Sequence, residues 1–391
     1  MSGKSFGPSW TRTWNRGHMR ILGLRAYLIE WPFTLAVSHS LASNTATANI
    51  LVALQDQQGR LGYGEGVPRA YVTGEEVGES LRALEQEMAP RLLGREAAPE
   101  LALGLVESVL GPELVERFPA AACALETALL DLAGQESGRP LSAWLGEAKP
   151  GPVTYSAVVP LLEPEPLARV LGQVKALGLQ QVKIKVDQEF SVERVAQVRA
   201  ALGAGARLRV DANGSWRAEQ AVELIQAMAP YGLEAVEQPV PKEDLEGLAQ
   251  VTAQVEPLVL ADESLCTEAQ ARELIQRRAV GGFNLRLSKC GGPARVLRLL
   301  DMARQAGLAC MLGCQVGELG VLSAAGRHFA SIHPELLYLE GSLTRFFLPQ
   351  DVIAQDLTFG PGGQAPPLSG PGLGVRVQEE SLRATQIFSL S

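Results

Sequence analysis

The chain has 391 residues, of which 46% are hydrophobic, 20% are charged and 5% are aromatic, and its formal net charge is −8. This balance is typical of a globular protein with a sizeable core. The sequence contains no run of about 18 apolar residues that would predict a membrane span. The acidic charge, the lack of a Lys/Arg block and the scarcity of aromatic side chains argue against nucleic-acid binding.

The five cysteines are spread along the chain without the paired spacing of a metal site. An odd number of cysteines in a long chain predicts reduced thiols and a cytoplasmic protein. Residues 1–19 are polar and lack the apolar stretch of a signal peptide, so we interpret them as an N-terminal extension outside the fold.

Residues 20–145 are predicted to form an α+β unit in which strands precede helices. Apolar, β-rich segments fill residues 20–76, with a hairpin-like break at residues 57–59. Residues 76–145 have the apolar spacing and the residue types of helices.

From about residue 150 to residue 345, short β-type segments alternate with amphipathic helical segments. This alternation predicts a parallel sheet, and eight repeats predict that the sheet closes into a TIM (β/α) barrel. An open doubly wound sheet is the alternative, but no Gly-x-Gly-x-x-Gly motif follows the first strand. Residues 346–391, rich in proline and glycine, are predicted to be mostly loop and to return to the N-terminal unit. The eight predicted strands lie in VTYSAV, QVKIKV, RLRVDA, LEAVEQP, PLVLADE, GFNLRLS, LACMLG and LLYLEG.

Five successive strands end in, or run into, a charged residue. The separations are 26, 26, 25 and 24 residues, about the length of one β/α unit, so the five residues should lie at one height. In a barrel that height is the C-terminal mouth, where catalytic residues lie. The five residues are Lys185, Asp211, Glu237, Asp262 and Arg286.

The alternation of side chains along a strand places further polar groups on the same inner face. Lys183 shares a face with Lys185, and Asn284 shares a face with Arg286. The apolar residues between them should pack outward against the helices.

Three carboxylates that converge on one point repel one another unless a cation lies among them. Because Asp211, Glu237 and Asp262 offer only oxygen atoms, they favour Mg²⁺, with Mn²⁺ as the alternative ion. Such a metal can bind a substrate carboxylate and neutralise the enolate that forms when the α-proton is lost. Neighbouring like charge lowers the pKa of a lysine, so Lys185 is a candidate general base, with Lys183 beside it.

These residues stand in motifs that resemble those of the enolase superfamily, specifically its muconate-lactonising-enzyme subgroup. The resemblance covers nearly the whole chain and implies a modified TIM barrel at residues 150–345. It also implies an N-terminal α+β capping domain at residues 20–145, completed by residues 346–391. The superfamily combines a Lys or His base with Mg²⁺. The motifs, in chain order, are V-K-I-K-V, V-D-A-N, E-Q-P, A-D-E-S and K-C-G-G-P.

The resemblance also implies roles for single residues. Asp211, Glu237 and Asp262 would be the metal ligands. Lys185 would be the base, and Lys183 would tune it or hold the substrate carboxylate. No histidine ends a strand in the pattern of the mandelate-racemase subgroup, which argues against that subgroup.

The chain departs from the subgroup's pattern at the sixth strand. The subgroup usually places a second catalytic lysine there, on the opposite face of the substrate. By register this position is Arg286, and a guanidinium group rarely gives up its proton. Arg286 would then be a cationic stabiliser, unless Lys289, three residues later, is the second base.

A second departure lies at the eighth strand. Dipeptide epimerases of the subgroup typically carry Asp-x-Asp there to bind an amino group, whereas this chain has Glu340. The departure weakens the dipeptide-epimerase interpretation without removing it, because Glu340 can serve the same purpose.

Five more residues are candidates for substrate binding. Asn213 lies on the same strand face as Asp211, and Glu263 directly follows Asp262. Glu318 follows the seventh strand, where the subgroup carries a similar glutamate. Arg69 and Tyr71 lie in a loop by which a capping domain usually reaches over the barrel mouth.

The expected protein is an Mg²⁺ enzyme that removes the proton α to the carboxylate of a small molecule through a metal-stabilised enolate. A muconate-cycloisomerase-like lactonisation, or its reverse, is the first expectation. An N-acylamino-acid or dipeptide racemase or epimerase is the second, and an acid-sugar-type dehydratase the third. A non-catalytic carboxylate-binding protein is the remaining alternative. Relatives suggest a homo-oligomer.

Overall fold

The structure, a computed structural model, describes residues 18–39, 42–189 and 191–391, so most of the predicted N-terminal extension lies outside the described residues. The strands are β1 (Met19–His39), β2 (Ala42–Asp56), β3 (Leu61–Gly66), β4 (Glu96–Ala97), β5 (Val153–Thr154), β6 (Ala157–Val159), β7 (Gln181–Lys185), β8 (Arg207–Asp211), β9 (Leu233–Glu237), β10 (Leu258–Ala261), β11 (Gly282–Leu285), β12 (Ala309–Leu312), β13 (Gln364–Ala365) and β14 (Gln386–Leu390).

The α-helices of the described residues fall into a group before residue 150 and a second group that alternates with the later strands. They are α1 (Ala70–Thr73), α2 (Val77–Ala83), α3 (Ala89–Leu92), α4 (Leu105–Leu110), α5 (Pro112–Arg117), α6 (Pro119–Ser137), α7 (Ser142–Leu145), α8 (Pro164–Ala176), α9 (Ser191–Leu202), α10 (Ala218–Met228), α11 (Leu245–Gln254), α12 (Glu268–Gln276), α13 (Leu287–Cys290), α14 (Pro293–Ala306), α15 (Gly320–Ile332), α16 (Thr344–Phe347) and α17 (Glu379–Leu382). Within the described ranges, no helix combines the length and the apolar character needed to cross a membrane.

The first sheet has the order β14-β1-β2-β3, with β4 paired to β1, and its named neighbours are antiparallel. We call this sheet together with α1 to α7 the capping unit. The break between β2 and β3 falls at residues 57–60, as the sequence predicts. The last described strand, β14, supplies one edge of the sheet that the first strand begins.

Helix α6 lies directly on β3, and small residues on both elements allow this approach. A Cβ atom on Gly64 or Gly66 would overlap the backbone oxygen of Ala124 or Ala120 on the helix. Glycine on the strand and alanine at every fourth helical position therefore bring two backbones together. The first sixteen residues of α6 are buried, because the barrel covers its other side.

The second sheet contains seven parallel strands in the order β12-β11-β10-β9-β8-β7-β6. The eighth predicted segment is not a full strand, because it pairs at the single residue Leu339. That residue bridges to Leu312 of β12 on one side and to Tyr155, beside β6, on the other. The sheet thus closes into the expected barrel, and the chain turns away at Gly341, where φ is 130°.

Buried carboxylates of the capping unit bind backbone N–H groups at the start of barrel helices. Glu65 on β3 accepts hydrogen bonds from the N–H groups of Leu319 and Leu322, at 2.7 and 2.9 Å, where α15 begins. Glu126 on α6 accepts one from the N–H of Ala294 at 3.0 Å, where α14 begins. Negative charge is favourable at a helix N-terminus, so these bonds fix the capping unit on the barrel.

The N-terminus of helix α6 is bound in the same way by a carboxylate of the capping unit itself. Glu75 accepts hydrogen bonds from the N–H groups of Ala120 and Ala121, at 2.9 and 3.2 Å, and from the hydroxyl of Ser80. Burial raises the pKa of Glu75 to about 7, although these hydrogen bonds act in the opposite direction.

The raised pKa of Glu75 predicts a pH dependence of stability. Between the unfolded pKa of 4.5 and the folded pKa of about 7, the folded state holds more protons than the unfolded state. The stabilisation is complete below the lower value and is lost as the pH rises through the higher one. We predict that the unfolding free energy of Glu75→Gln falls less steeply than that of the wild type as the pH rises over this range. The two slopes should differ by up to about 1.4 kcal/mol per pH unit. Urea unfolding measured across the range tests this.

The matched control is Glu76→Gln, at the neighbouring exposed position, which should keep the wild-type slope. Because only the difference between variants is compared, other titrating groups cancel. Equal slopes for wild type and Glu75→Gln would contradict the prediction.

Candidate active site

The charged residues picked out by spacing lie together at the C-terminal ends of the barrel strands. Lys185, Asp211 and Glu237 are the last residues of β7, β8 and β9, and they pair in register across the sheet. Asp262 and Arg286 directly follow β10 and β11. All five side chains are buried.

Lys183 lies among three carboxylates. Its Nζ atom is 2.9 Å from Asp211, 3.1 Å from Glu237 and 3.0 Å from Glu340. The Nζ of Lys185 donates to Asp211 at 2.7 Å and to the Oδ1 of Asn213 at 2.6 Å. The two lysines of the K-x-K pair thus share Asp211 as a common partner.

Arg286 and Lys289 both pair with Asp262 but lie differently. Arg286 contacts the Asp262 carboxylate closely, lies 3.4 Å from Glu237, and donates to the side-chain oxygen of Gln315 at 3.0 Å. Lys289 donates to both the carboxylate and the backbone oxygen of Asp262, at 2.9 and 2.6 Å. The single turn of α13 carries Lys289 away from the cavity that Arg286 lines.

Two polar residues that support the site were not among the predicted site residues. Arg209 forms a buried ion pair with Glu340, and its guanidinium lies over the ring of Tyr338. Asn284 donates to Glu237 at 2.8 Å. Arg209 lies two residues before Asp211, so the strand alternation used for Lys183 and Lys185 also marks it.

Burial and mutual repulsion set the pKa values of the acids. Burial and the neighbouring Asp211 raise the pKa of Glu237 to about 8. For Asp211 burial acts upward, but Lys183 and Lys185 hold its pKa below its usual value. Burial alone would lower the pKa of Lys183, yet the surrounding carboxylates raise it well above its ordinary value. The expected lowering by neighbouring like charge is therefore outweighed at Lys183.

The donor set fits a hard divalent cation. Asp211, Glu237 and Asp262 offer only oxygen atoms, the ligands that a hard divalent cation prefers. The buried Oε2 of Glu263 and Oδ1 of Asn284 have no hydrogen-bond partner in the described part of the chain. Among the described residues no three acids, cysteines or histidines already form a metal-binding group, since amino and guanidinium groups lie between the carboxylates.

One cavity brings most of the predicted site residues together above the buried acids. Arg69 is not among its lining residues; its guanidinium donates to the backbone oxygen of Val316 at 2.6 Å and so ties the capping loop to the loop after β12. The predicted residues that line the cavity are Tyr71, Lys183, Lys185, Asn213, Glu263, Arg286, Glu318 and Glu340.

Other lining residues come from segments without a strong sequence signal. The loop after β12 contributes Cys314, Gln315 and Val316, and the segment after the eighth strand position contributes Thr344 and Phe347. These side chains reach the cavity only because the capping unit and the last barrel loops fold over the mouth. A Pro/Gly/Ser-type loop signal predicts that such segments are loops, but not which side chains point inward.

Family models match two parts of the chain. A model described as mandelate racemase / muconate lactonizing enzyme, N-terminal domain, matches residues 25–146. A model described as enolase C-terminal domain-like matches residues 167–381, more than half of the chain.

Individual proteins similar to the chain include dipeptide epimerases and a muconate cycloisomerase. The chain is 35% identical to a hydrophobic dipeptide epimerase of Enterococcus faecalis over 76% of this chain and 82% of the relative. It is 31% identical to an L-Ala-D/L-Glu epimerase of Bacillus subtilis over 91% and 97% of the two chains. A muconate cycloisomerase 1 of Rhodococcus opacus is 29% identical over 93% and 98%. The crystal structure of an E. faecalis dipeptide epimerase with Mg and the dipeptide L-Leu-L-Tyr superposes with a TM-score of 0.85, at 29% identity, over 92% and 100%.

The donor set predicts a response to Mg²⁺ that can be measured without any substrate. We expect MgCl₂ to raise the unfolding temperature of the wild type, with a stabilisation of about 2.7 kcal/mol at a hundred times Kd. Asp211→Asn should lose this response, because it removes a charged donor from the centre of the cluster. Glu189→Gln, at an exposed acid beyond β7, should keep it. A wild type that does not respond to Mg²⁺ would contradict the metal site.

Proposed function

The chain belongs to the enolase superfamily, in the family of mandelate racemase and muconate lactonising enzyme, and from this premise we propose that it is an Mg²⁺-dependent epimerase or racemase. Its substrates would be dipeptides or N-acylated amino acids that carry a free carboxylate. The observation that carries the proposal is the position of Lys185 at the end of β7, where its amine lines the cavity and contacts Asp211, one of the three buried acids at the ends of neighbouring strands. Relatives in this family are isomerases, which supports the class of reaction.

Asp211, Glu237 and Asp262 would hold the Mg²⁺ ion. The ion would supply positive charge to the substrate carboxylate as negative charge develops there during proton loss. Five carboxyl groups and five cationic side chains already surround this point, so a divalent cation would leave a surplus of positive charge. The acids are Asp211, Glu237, Asp262, Glu263 and Glu340, and the cations are Lys183, Lys185, Arg209, Arg286 and Lys289.

That surplus would favour an anionic substrate. Lys185 is the more accessible of the two strand lysines, with 11% of its side chain exposed against 3% for Lys183. We assign to Lys185 the removal of the α-proton and to Lys183 the binding of the substrate carboxylate. Lys183 lines the same cavity, and its ammonium group is suited to an anion bound there.

The comparisons favour dipeptide or N-acylamino-acid epimerisation over the muconate-type lactonisation expected first from the sequence. The two dipeptide epimerases are more similar in sequence than the muconate cycloisomerase. A dipeptide and an N-acylated amino acid present the same reacting unit, a carboxylate next to a carbon that bears an amide nitrogen.

One observation favours the N-acylated substrate within this class. The carboxylate of Glu340, which stands where a substrate ammonium group could bind, is already paired with Arg209 and Lys183. The cavity wall also contains apolar residues, including Val158, Pro160 and Phe347, which suit a neutral acyl group. We therefore include N-acylated amino acids beside dipeptides as substrates.

The proposed base can be tested by hydrogen exchange. In D₂O with Mg²⁺, the wild type should exchange the α-proton of the C-terminal residue in both L-Ala-L-Leu and L-Ala-D-Leu. Lys185→Ala should lose exchange, by a factor of about 10² or more, for the epimer whose proton faces this lysine. Proton NMR measures the loss of the α-proton signal. Undiminished exchange of both epimers in Lys185→Ala would remove Lys185 from this role, and Lys175→Ala, at an exposed position outside the cavity, is the control.

The substrate class can be tested by assaying two reactions under the same conditions. We expect chiral chromatography to detect epimerised product from L-Ala-L-Leu, L-Leu-L-Tyr or N-acetyl-L-leucine. We expect no loss of the ultraviolet absorbance of cis,cis-muconate under the same conditions. Consumption of muconate without epimerisation of any amino-acid derivative would overturn the proposed substrate class.

A further inference from the structure

Epimerisation needs two groups, one on each face of the α-carbon, and the strand order shows where they must lie. Counting β6 as the first position of the barrel, Lys185 stands at the second and Arg286 at the sixth. Positions four strands apart in an eight-membered ring lie opposite one another. The acids of the third to fifth positions would hold the metal ion. A substrate whose carboxylate met that ion would have Lys185 on one side and Arg286 on the other.

Arg286 is unsuited to moving a proton. A guanidinium group rarely gives up its proton. Its guanidinium is also occupied by Asp262, Glu237 and Gln315. The side of the cavity opposite Lys185 therefore carries a fixed cation and needs another proton donor.

Apart from Ser and Thr hydroxyl groups, the cavity-lining acids outside the lysine strand are Tyr71, Glu263, Cys314, Glu318 and Glu340. Glu340 is paired with Lys183 and Arg209. Burial raises the pKa of the Cys314 thiol well above its usual range, so it is unsuited to act as a base in the reverse direction.

Glu263 accepts a hydrogen bond from Asn213 at 2.9 Å and directly follows the metal-ligand candidate Asp262, so it belongs to the proposed metal site. Tyr71 comes from the capping loop. Glu318 follows β12, the seventh position, immediately beside the strand of Arg286.

Gln315 connects Glu318 to Arg286. Its side-chain oxygen accepts from Arg286 at 3.0 Å, and its backbone N–H donates to the Oε1 of Glu318 at 2.5 Å. No hydrogen bond to the second carboxyl oxygen of Glu318 is found among the described residues. One oxygen is thus fixed in place and the other is left for a substrate.

We propose that Glu318 is the second proton-transfer residue, acting on the face of the α-carbon opposite Lys185. This inference rests on the proposed function and assigns to Glu318 a catalytic role in place of simple substrate binding. Arg286 then acts as a neighbouring cation that steadies Gln315 and balances the charge of Glu318 after the proton has left.

The step balances without a further reactant. The amine of Lys185 takes the α-proton, and the electron pair of the broken C–H bond moves into the carboxylate group. The carboxylic acid of Glu318 then gives its proton to the α-carbon from the other side, forming the new C–H bond and leaving a carboxylate. In the reverse direction the Glu318 carboxylate is the base and the Lys185 ammonium is the acid, and solvent resets both groups.

The surroundings of Glu318 support both roles. Burial, together with the nearby Glu65, raises the pKa of Glu318 to about 8, while the N–H of Gln315 acts in the opposite direction. A group with a pKa near the working pH can serve as acid in one direction and as base in the other.

Exchange measured separately on the two epimers tests the proposal. Glu318→Gln should keep α-proton exchange for the epimer that Lys185→Ala can no longer exchange, and should lose exchange of the other epimer. Both variants should lose epimerisation by about 10² or more. The probes are L-Ala-L-Leu and L-Ala-D-Leu with Mg²⁺ in D₂O. A merely structural role would lower exchange of both epimers alike, so this complementary pattern is specific to proton transfer.

Tyr71→Phe tests the cavity-lining phenol of the capping loop as the alternative proton donor. The matched control is Glu219→Gln, at an exposed position outside the cavity, which should keep exchange of both epimers. The proposal is overturned if Glu318→Gln still epimerises, if it slows both epimers equally, or if Tyr71→Phe produces the selective loss. Should Glu318→Gln not fold in a thermal-unfolding assay, Glu318→Asp replaces it and should slow only the same epimer. A wild type that exchanges neither epimer contradicts the proposed function itself, and this inference falls with it.

Discussion

The compensation of buried charge at the barrel mouth is the constraint on which the rest of the site depends. Parallel strands bring their C-terminal ends to one edge, so acids placed there must share a small volume from which water is largely excluded. Such a group of acids is stable only when cations reach it, and removing one partner leaves an uncompensated charge. The lysine pair of β7, Arg209 within β8 and Arg286 after β11 meet this need from different strands. The same ion pairs hold these charged side chains in place at the barrel mouth.

The sequence predicts the barrel and the position of its charged residues well, because both follow from a repeat. The β/α spacing fixes the height of Asp211 and Glu237, and strand alternation fixes the face of Lys183. The assignment of Lys289 needed more than spacing, since one short helical turn decides which way its side chain points. Arg69 and the loop residues around Gln315 depend on how the capping unit meets the barrel. That contact is set by packing between segments more than 200 residues apart, which no local pattern encodes.

Similarity to dipeptide epimerases describes the scaffold and the metal-binding edge better than it describes the far side of the cavity. The acids and the K-x-K pair follow the family's motifs, whereas Arg286 and the single acid Glu340 depart from them. The first departure keeps a positive charge but replaces an amine by a guanidinium group, which rarely gives up its proton, and the second leaves one acid where the motif has two. Glu340 is neutralised from below by Arg209, and Arg286 is held by the acids that flank it. Chemistry on this side of the substrate has therefore to be argued from the residues that are present, and family membership alone does not decide it.

The position of β14 at the edge of the first sheet has a consequence for how the protein is made. Its partner β1 begins at Met19, and β3, the far edge of the same sheet, ends at Gly66, while β14 begins at Gln386. At a synthesis rate of about 5 to 20 residues per second, roughly 15 to 60 s separate the two edges on the ribosome. During that interval the N-terminal sheet exposes an unpaired strand, which is a template for pairing with other chains. The edge of β1 that β14 covers therefore stays open to pairing until residues 386–390 have been synthesised.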